Sequence, residues 1–196
     1  GLSSCTFSDN STGRFGGGIY ANNSNLISID CVFTQNAANW GGGWGEHNST
    51  SSLTRCEFRD NRATFNGAGY FTNRNPDRII SGPTLEECAF QENQAGYSGG
   101  GMIAVDITPD LTGCTFSGNS ATQTGGGLSN LRTLANATDC VFTGNTAILG
   151  GGWYDLDSSI GKGAQNNPRL TGCQFLENAA TNRGGGFYCI SEELPS

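Results

Sequence analysis

Seven times the chain repeats one short phrase, Cys-x-Phe-x-x-Asn. The triplets are Cys5/Phe7/Asn10, Cys31/Phe33/Asn36, Cys56/Phe58/Asn61, Cys88/Phe90/Asn93, Cys114/Phe116/Asn119, Cys140/Phe142/Asn145 and Cys173/Phe175/Asn178. A glycine cluster follows ten or eleven residues after each Cys. Self-similarity at a fixed period marks a solenoid, in which each repeat is one coil and stacked neighbours build the core.

The Cys-to-Cys spacings are 26, 25, 32, 26, 26 and 33. Cys114 and Phe116 are two apart, so a strand points both to one face and Thr115 to the other. The polar run from Ser117 to Thr124 reads as a turn. Gly125 to Gly127 permit backbone angles closed to other residues, or close approach of a neighbouring chain. A large apolar residue follows in every coil (Ile19, Trp44, Tyr70, Met102, Leu128, Trp153, Phe187) and begins a second inward-facing strand. A Leu three residues before the Cys (Leu2, Leu53, Leu85, Leu111, Leu170) marks a third short strand or its corner. Short strands and turns at this period predict an all-β, right-handed parallel β-helix of about seven coils; the hand follows the general crossover preference. A leucine-rich horseshoe would need more Leu per repeat and helix-forming stretches, and a propeller needs longer blades.

Stacked in register, each repeated position becomes a column with a rise of about 4.8 Å per coil. The Phe would fill the core. Asn10, Asn36, Asn61, Asn93, Asn119, Asn145 and Asn178 would form an amide ladder, each side chain donating to one neighbour and accepting from another. The Ala two residues later (Ala38, Ala63, Ala95, Ala121, Ala147, Ala180) reads as a tight bend.

The net charge is −7, with one Lys, and no basic run exists. Nucleic acid is therefore a poor partner. No apolar stretch approaches a membrane span, so membrane insertion is not expected. Eight cysteines and four Asn-x-Ser/Thr sequons, at Asn10, Asn22, Asn48 and Asn136, point to an extracellular, oxidising setting with covalent glycans. A ladder role would bury the Asn10 amide, which makes it the poorest acceptor of the four. In-register Cys would have Cα atoms within disulfide range. One pairing is Cys5–Cys31, Cys56–Cys88, Cys114–Cys140 and Cys173–Cys189; the other reading leaves the column as buried thiols. No Cys-x-x-Cys occurs and His47 is the single His, so no metal site and no cofactor are expected.

The spacings also repeat as blocks of three coils, dividing a single domain into about 1–84, 85–169 and a seventh coil at 170–196. Both long coils carry inserts at the same place, over 72–84 and 155–169, each with an Asn-Pro (Asn75-Pro76, Asn167-Pro168) followed by Arg78 or Arg169. They are expected to protrude from one flank about 14 Å apart, and such insertions often build binding surfaces.

An enzyme acting on polysaccharide would need paired carboxylates, or a base with cations. Asp106 with Asp110, Glu86 with Glu87 and Glu46 beside His47 lack a supporting Lys/Arg cluster; Asp155 with Asp157 is the best pair. Calcium nonapeptides fail because aromatics follow the glycines. Thr6 and Thr115 begin an outward Thr column of the kind ice binding wants, but Val32, Glu57, Ala89, Val141 and Gln174 interrupt it.

Phe116-Ser-Gly-Asn119 with Gly125-Gly-Gly-Leu128, and Phe142-Thr-Gly-Asn145 with Gly150-Gly-Gly-Trp153, resemble the repeat of polymorphic outer membrane proteins. The resemblance implies a right-handed parallel β-helix on a bacterial surface autotransporter or a large extracellular protein, and an adhesin role. It transfers no catalytic residue. The chain lacks the autotransporters' membrane barrel, and their motif does not demand a Cys column. The chain starts at Gly1 with the motif already at Cys5, and no capping helix is evident at either end. It therefore reads as a processed protein or a piece of a longer array. The expectation is a non-enzymatic extracellular structural protein whose partners are other copies of itself, joined head to tail in a filament. A carbohydrate-binding adhesin using the insert-bearing flank is the alternative.

Overall fold

The computed structural model describes residues 1–75, 81–133, 135–157 and 168–191. The described residues form strands and turns without a helix. Every ladder is parallel, and each strand pairs with its counterpart one coil away, so the chain is a parallel β-helix.

Each full coil contributes four strands rather than three. In the fifth coil Asp110–Thr112 joins a leucine sheet, Thr115–Ser117 a phenylalanine sheet, Ser120–Ala121 an alanine sheet and Leu128–Leu131 a fourth sheet. Three sheets have seven strands and the alanine sheet has six. The alanines expected at a bend are thus in strands; Ala63 pairs with Ala38 and Ala95. Likewise the polar run 117–124 is only partly turn. The sequence concealed this sheet because its strands are as short as two residues, too short for an alternating pattern to show.

Corners are set by left-handed residues. The residue before each Asn (Asp9, Gln35, Asp60, Glu92, Gly118, Gly144, Glu177) has φ between 53° and 63°, as does the residue before each Cys at 50–66°. Short polar residues and Gly tolerate this region best. The first glycine of each cluster makes a third such corner, Gly125 for example at φ 62°. The third is needed for space, because a Cβ on Gly127 would sit 2.5 Å from the Gly152 carbonyl oxygen and 3.1 Å from the Phe142 ring.

The core runs along the axis. Phe33, Phe58, Phe90, Phe116 and Phe142 are fully buried. With Phe7 and Phe175 at the two outer coils, they form one stack with ring centroids 4.6–5.0 Å apart and planes within 9° of parallel. Trp44, Tyr70, Met102, Leu128 and Trp153 line the opposite wall, and Leu53, Leu85 and Leu111 complete it. Burying a ring of this size is worth about 1.5–3 kcal/mol, so the column is a main source of stability.

Candidate functional site

The most regular polar element is the asparagine ladder. Each Oδ1 from Asn36 to Asn178 accepts both the backbone N–H and the Nδ2 of the Asn one coil earlier, with the Nδ2 bonds at 2.9–3.1 Å. Each Nδ2 from Asn36 onward also donates to the Phe carbonyl of the preceding coil, as Asn119 does to Phe90 at 2.9 Å. From Asn36 to Asn145 every amide therefore uses both of its donors and both lone pairs while fully buried. Asp lacks the donor, and Gln would reach too far for a corner this tight. These seven residues hold the scaffold and present nothing to a ligand.

The cysteine column is the second. The structure shows no disulfide among the described residues, so it does not support the pairing Cys5–Cys31, Cys56–Cys88, Cys114–Cys140 and Cys173–Cys189 and fits the buried-thiol column instead. Cys31, Cys56, Cys88, Cys114 and Cys140 are buried among the Leu and Phe columns. Their Sγ atoms donate to backbone carbonyls two residues back, as Cys140 does to Thr138 at 3.4 Å. The adjacent Cys88 thiol lowers Cys56 to about 7, against the effect of burial. Cys140, whose hydrogen bond to Cys114 favours the protonated form, is raised. Cys189 stands apart in the fourth sheet, exposed and in register with Asp155.

Sequence reasoning missed a third column. In the fourth sheet Ala21, Glu46, Thr72, Ala104, Asn130, Asp155 and Cys189 share one register position. Glu46, Thr72, Asn130 and Asp155 are fully buried. Glu46 Oε1 accepts from Thr72 Oγ1 at 3.0 Å, and Asp155 Oδ2 accepts from Asn130 Nδ2 at 3.0 Å. Burial pushes the Glu46 carboxyl up, against donors on Ser51, Tyr70, Thr72 and Trp44. Glu46 Oε2, the Trp44 indole N–H and the Tyr70 hydroxyl lie in this interior without completed hydrogen bonds. The available signal was period two from a buried aromatic: Trp44 to Glu46, and Trp153 to Asp155.

The carboxylates singled out in the sequence are placed as follows. Asp155 is sealed inside the coil and has no access to a polymer; the Asp157 side chain lies outside the described residues. Glu46 points inward, while His47 at the strand end sets Nδ1 2.7 Å from Asn73 Oδ1. Asp106 forms a two-pronged ion pair with Arg132, and Asp110 Oδ1 accepts from the Asn136 amide. Glu86 and Glu87 are exposed at a corner. Among the described residues no cluster of His, Cys, Asp and Glu could hold a metal. The interrupted Thr column is also as expected, since Thr115 pairs with Ala89 and Val141.

Among the sequons, Asn22 is exposed on the last residue of its strand. Asn48 is half-buried and its Oδ1 accepts the Asn75 N–H at 2.7 Å. Asn136 is occupied by Asp110, and Asn10 by Asn36. Residues 76–80 and 158–167 of the two inserts, with Pro76, Arg78 and Asn167, lie outside the described residues.

One surface feature is built by what the repeat leaves variable. Between the Asn and the glycines the chain runs out along the alanine sheet, turns, and comes back along the glycines. The two legs touch backbone to backbone: a Cβ on Gly42 would lie 2.5 Å from the Arg62 carbonyl oxygen, and one on Gly126 2.4 Å from that of Thr146. Only Ala and Gly fit between them, hence the separate cluster Ala63, Ala68, Ala95, Ala121 and Ala147. The outer end of this fold-back carries aromatics, Trp40 and Phe65 within their strands. Phe15 stacks on Trp40 at 5.0 Å, and Trp40 meets Phe65 at 4.9 Å. Phe65 and Tyr97 are 42% and 56% exposed.

The family model described as Chlamydia polymorphic membrane protein (Chlamydia_PMP) repeat matches residues 4–22 and 113–131. Each stretch runs from the Cys corner through the following strand of the fourth sheet. No curated protein and no solved structure matches the chain significantly. In general terms the match supports a surface-associated repeat protein. The first and fifth coils thus match the polymorphic membrane protein repeat, in a chain whose described residues form a parallel β-helix.

Proposed function

We propose that the protein is a non-enzymatic cell-surface scaffold whose β-helix continues from one copy into the next. The carrying observation is that every buried column is a coil-to-coil contact: ring on ring, amide on amide, strand on strand. Phe7 and Phe175, in the outermost coils, are only half-buried. A further coil, in a longer chain or in another copy, would extend each column with the same geometry. Contacts of this heterologous kind do not close and give filaments. The burial of Glu46 and Asp155 supports a non-enzymatic reading, since these two acids serve the interior. The exposed Asn22 supports glycosylation at that sequon.

Sedimentation and electron microscopy over a thousandfold dilution series test the assembly. Rods whose length grows with concentration are expected. A single monomeric species at every concentration contradicts it.

A further inference from the structure

Two shallow troughs adjoin on the outer face of the alanine sheet. One of about 400 Å³ is bounded by Gln35, Asp60 and Arg62. The other, of about 330 Å³, runs from Arg62 past Gln94 to Ser120 and Thr122. They meet at Arg62, which borders both, and between them they extend along the axis over the second to fifth coils; we treat the pair as one channel. The channel exists because the fold-back forces its floor to be Ala and Gly. Its walls carry Gln35, Asp60, Arg62, Gln94, Ser120 and Thr122 on successive coils about 4.8 Å apart. Phe65, further along the Arg62 strand, and Tyr97, on the bend after its own, add exposed rings; Tyr97 is more than half exposed.

Charge separates this surface from the rest. The seven fold-back segments (11–15, 37–40, 62–66, 94–98, 120–124, 146–149 and 179–183) contain Arg14, Arg62 and Arg183 and no Asp or Glu, in a chain of net charge −7. The exposed arginines at the other corners are neutralised: Arg55 by Asp30 and Arg132 by Asp106. Arg59 faces Glu57 and Asp60, which also occupies the nearest carboxylate of the channel. Among the described residues Arg62 makes no such ion pair. It is a cation set at the midpoint of a polar channel.

We infer that this channel binds an acidic oligosaccharide of uronic-acid type, with the Arg62 guanidinium on a sugar carboxylate. A planar guanidinium matches a carboxylate two-pronged. Gln94, Ser120 and Thr122 suit sugar hydroxyls, and exposed rings suit the apolar faces of the sugars. A linear chain also fits polar groups set out along the axis on successive coils. A lipid surface fits less well, because the acidic remainder of the molecule would be repelled by an anionic bilayer.

Retention on immobilised polygalacturonate in 150 mM salt tests this with the intact protein, beside neutral dextran and phosphatidylserine vesicles. Retention on polygalacturonate alone is expected, weakening as salt rises. Arg62→Gln should reduce affinity tenfold or more and Arg62→Lys less, with melting temperatures matching the parent protein. Arg55→Gln, at a distant corner, should bind as the parent does. Equal binding by Arg62→Gln, equal retention on dextran, binding to vesicles only, or no retention by the parent protein would each overturn the assignment. None of these outcomes depends on filament formation, since the channel lies on the flank of single coils.

Discussion

At the scale of the residue, the asparagine column shows why one side chain recurs seven times. Asn119 Oδ1 accepts from Asn93, while its Nδ2 donates to Asn145 Oδ1 and the Phe90 carbonyl. Replacing it with Ala removes these bonds and strands the Asn93 N–H, the Phe90 carbonyl and part of the Asn145 amide in a dry corner. Each buried group left unsatisfied costs about 1–3 kcal/mol, so Asn119→Ala should cost several kcal/mol of unfolding free energy. Denaturant titration measures it, and a loss within experimental error would remove the ladder from the account. The sequence displayed this column openly, because its spacing from Cys and Phe never varies. The interior acids were not legible in the same way. Glu46 and Asp155 interrupt an otherwise mixed column, and a carboxylate next to glycines reads by default as solvated. Only the register between coils reveals that both point inward.

At the scale of the element, the fourth sheet and the alanine sheet diverge most from what spacing predicts. Spacing gives the number of residues in a coil but not how many corners they turn. The alanine strands are brief, and their reason for existing, the glycine leg packed against them, is a tertiary contact. The same contact explains why the aromatics of the fold-back and Arg62 vary while Ala and Gly recur. The fourth sheet carries a pH dependence. Burial raises the Glu46 carboxyl above its unfolded value of 4.5. The neutral acid is therefore the form the fold favours. Its contribution is fully present below about pH 4.5 and is lost as pH rises through the folded value. Glu46→Gln keeps an acceptor for Thr72 and cannot ionise. The variant's melting temperature relative to the parent protein should rise between pH 5 and pH 8. A difference that stays constant across that range would contradict a buried, titrating Glu46.

At the scale of the molecule, repetition and function occupy different residues. Cys, Phe and Asn build the interior columns, and the thiols pack there as small apolar groups rather than as a disulfide framework. Parallel stacking brings neighbouring sulfurs into line with a carbonyl two residues back, which satisfies each thiol without a cross-link. Exposed surface is left to the fold-back turns and the corners, where the repeat permits substitution. The coil count and the parallel β-helix were legible because a column tolerates no variation along its length. The binding channel was not, because its walls come from four coils that are remote in sequence. The central claim is the in-register stack itself, and amide hydrogen exchange resolved by residue tests it most directly. The backbone N–H groups of Asn36, Asn61, Asn93, Asn119 and Asn145, each held by the side chain of the next coil, should exchange only through global unfolding. Exchange at these five positions as fast as at the exposed residues Gly13 and Asn25 would contradict the stack.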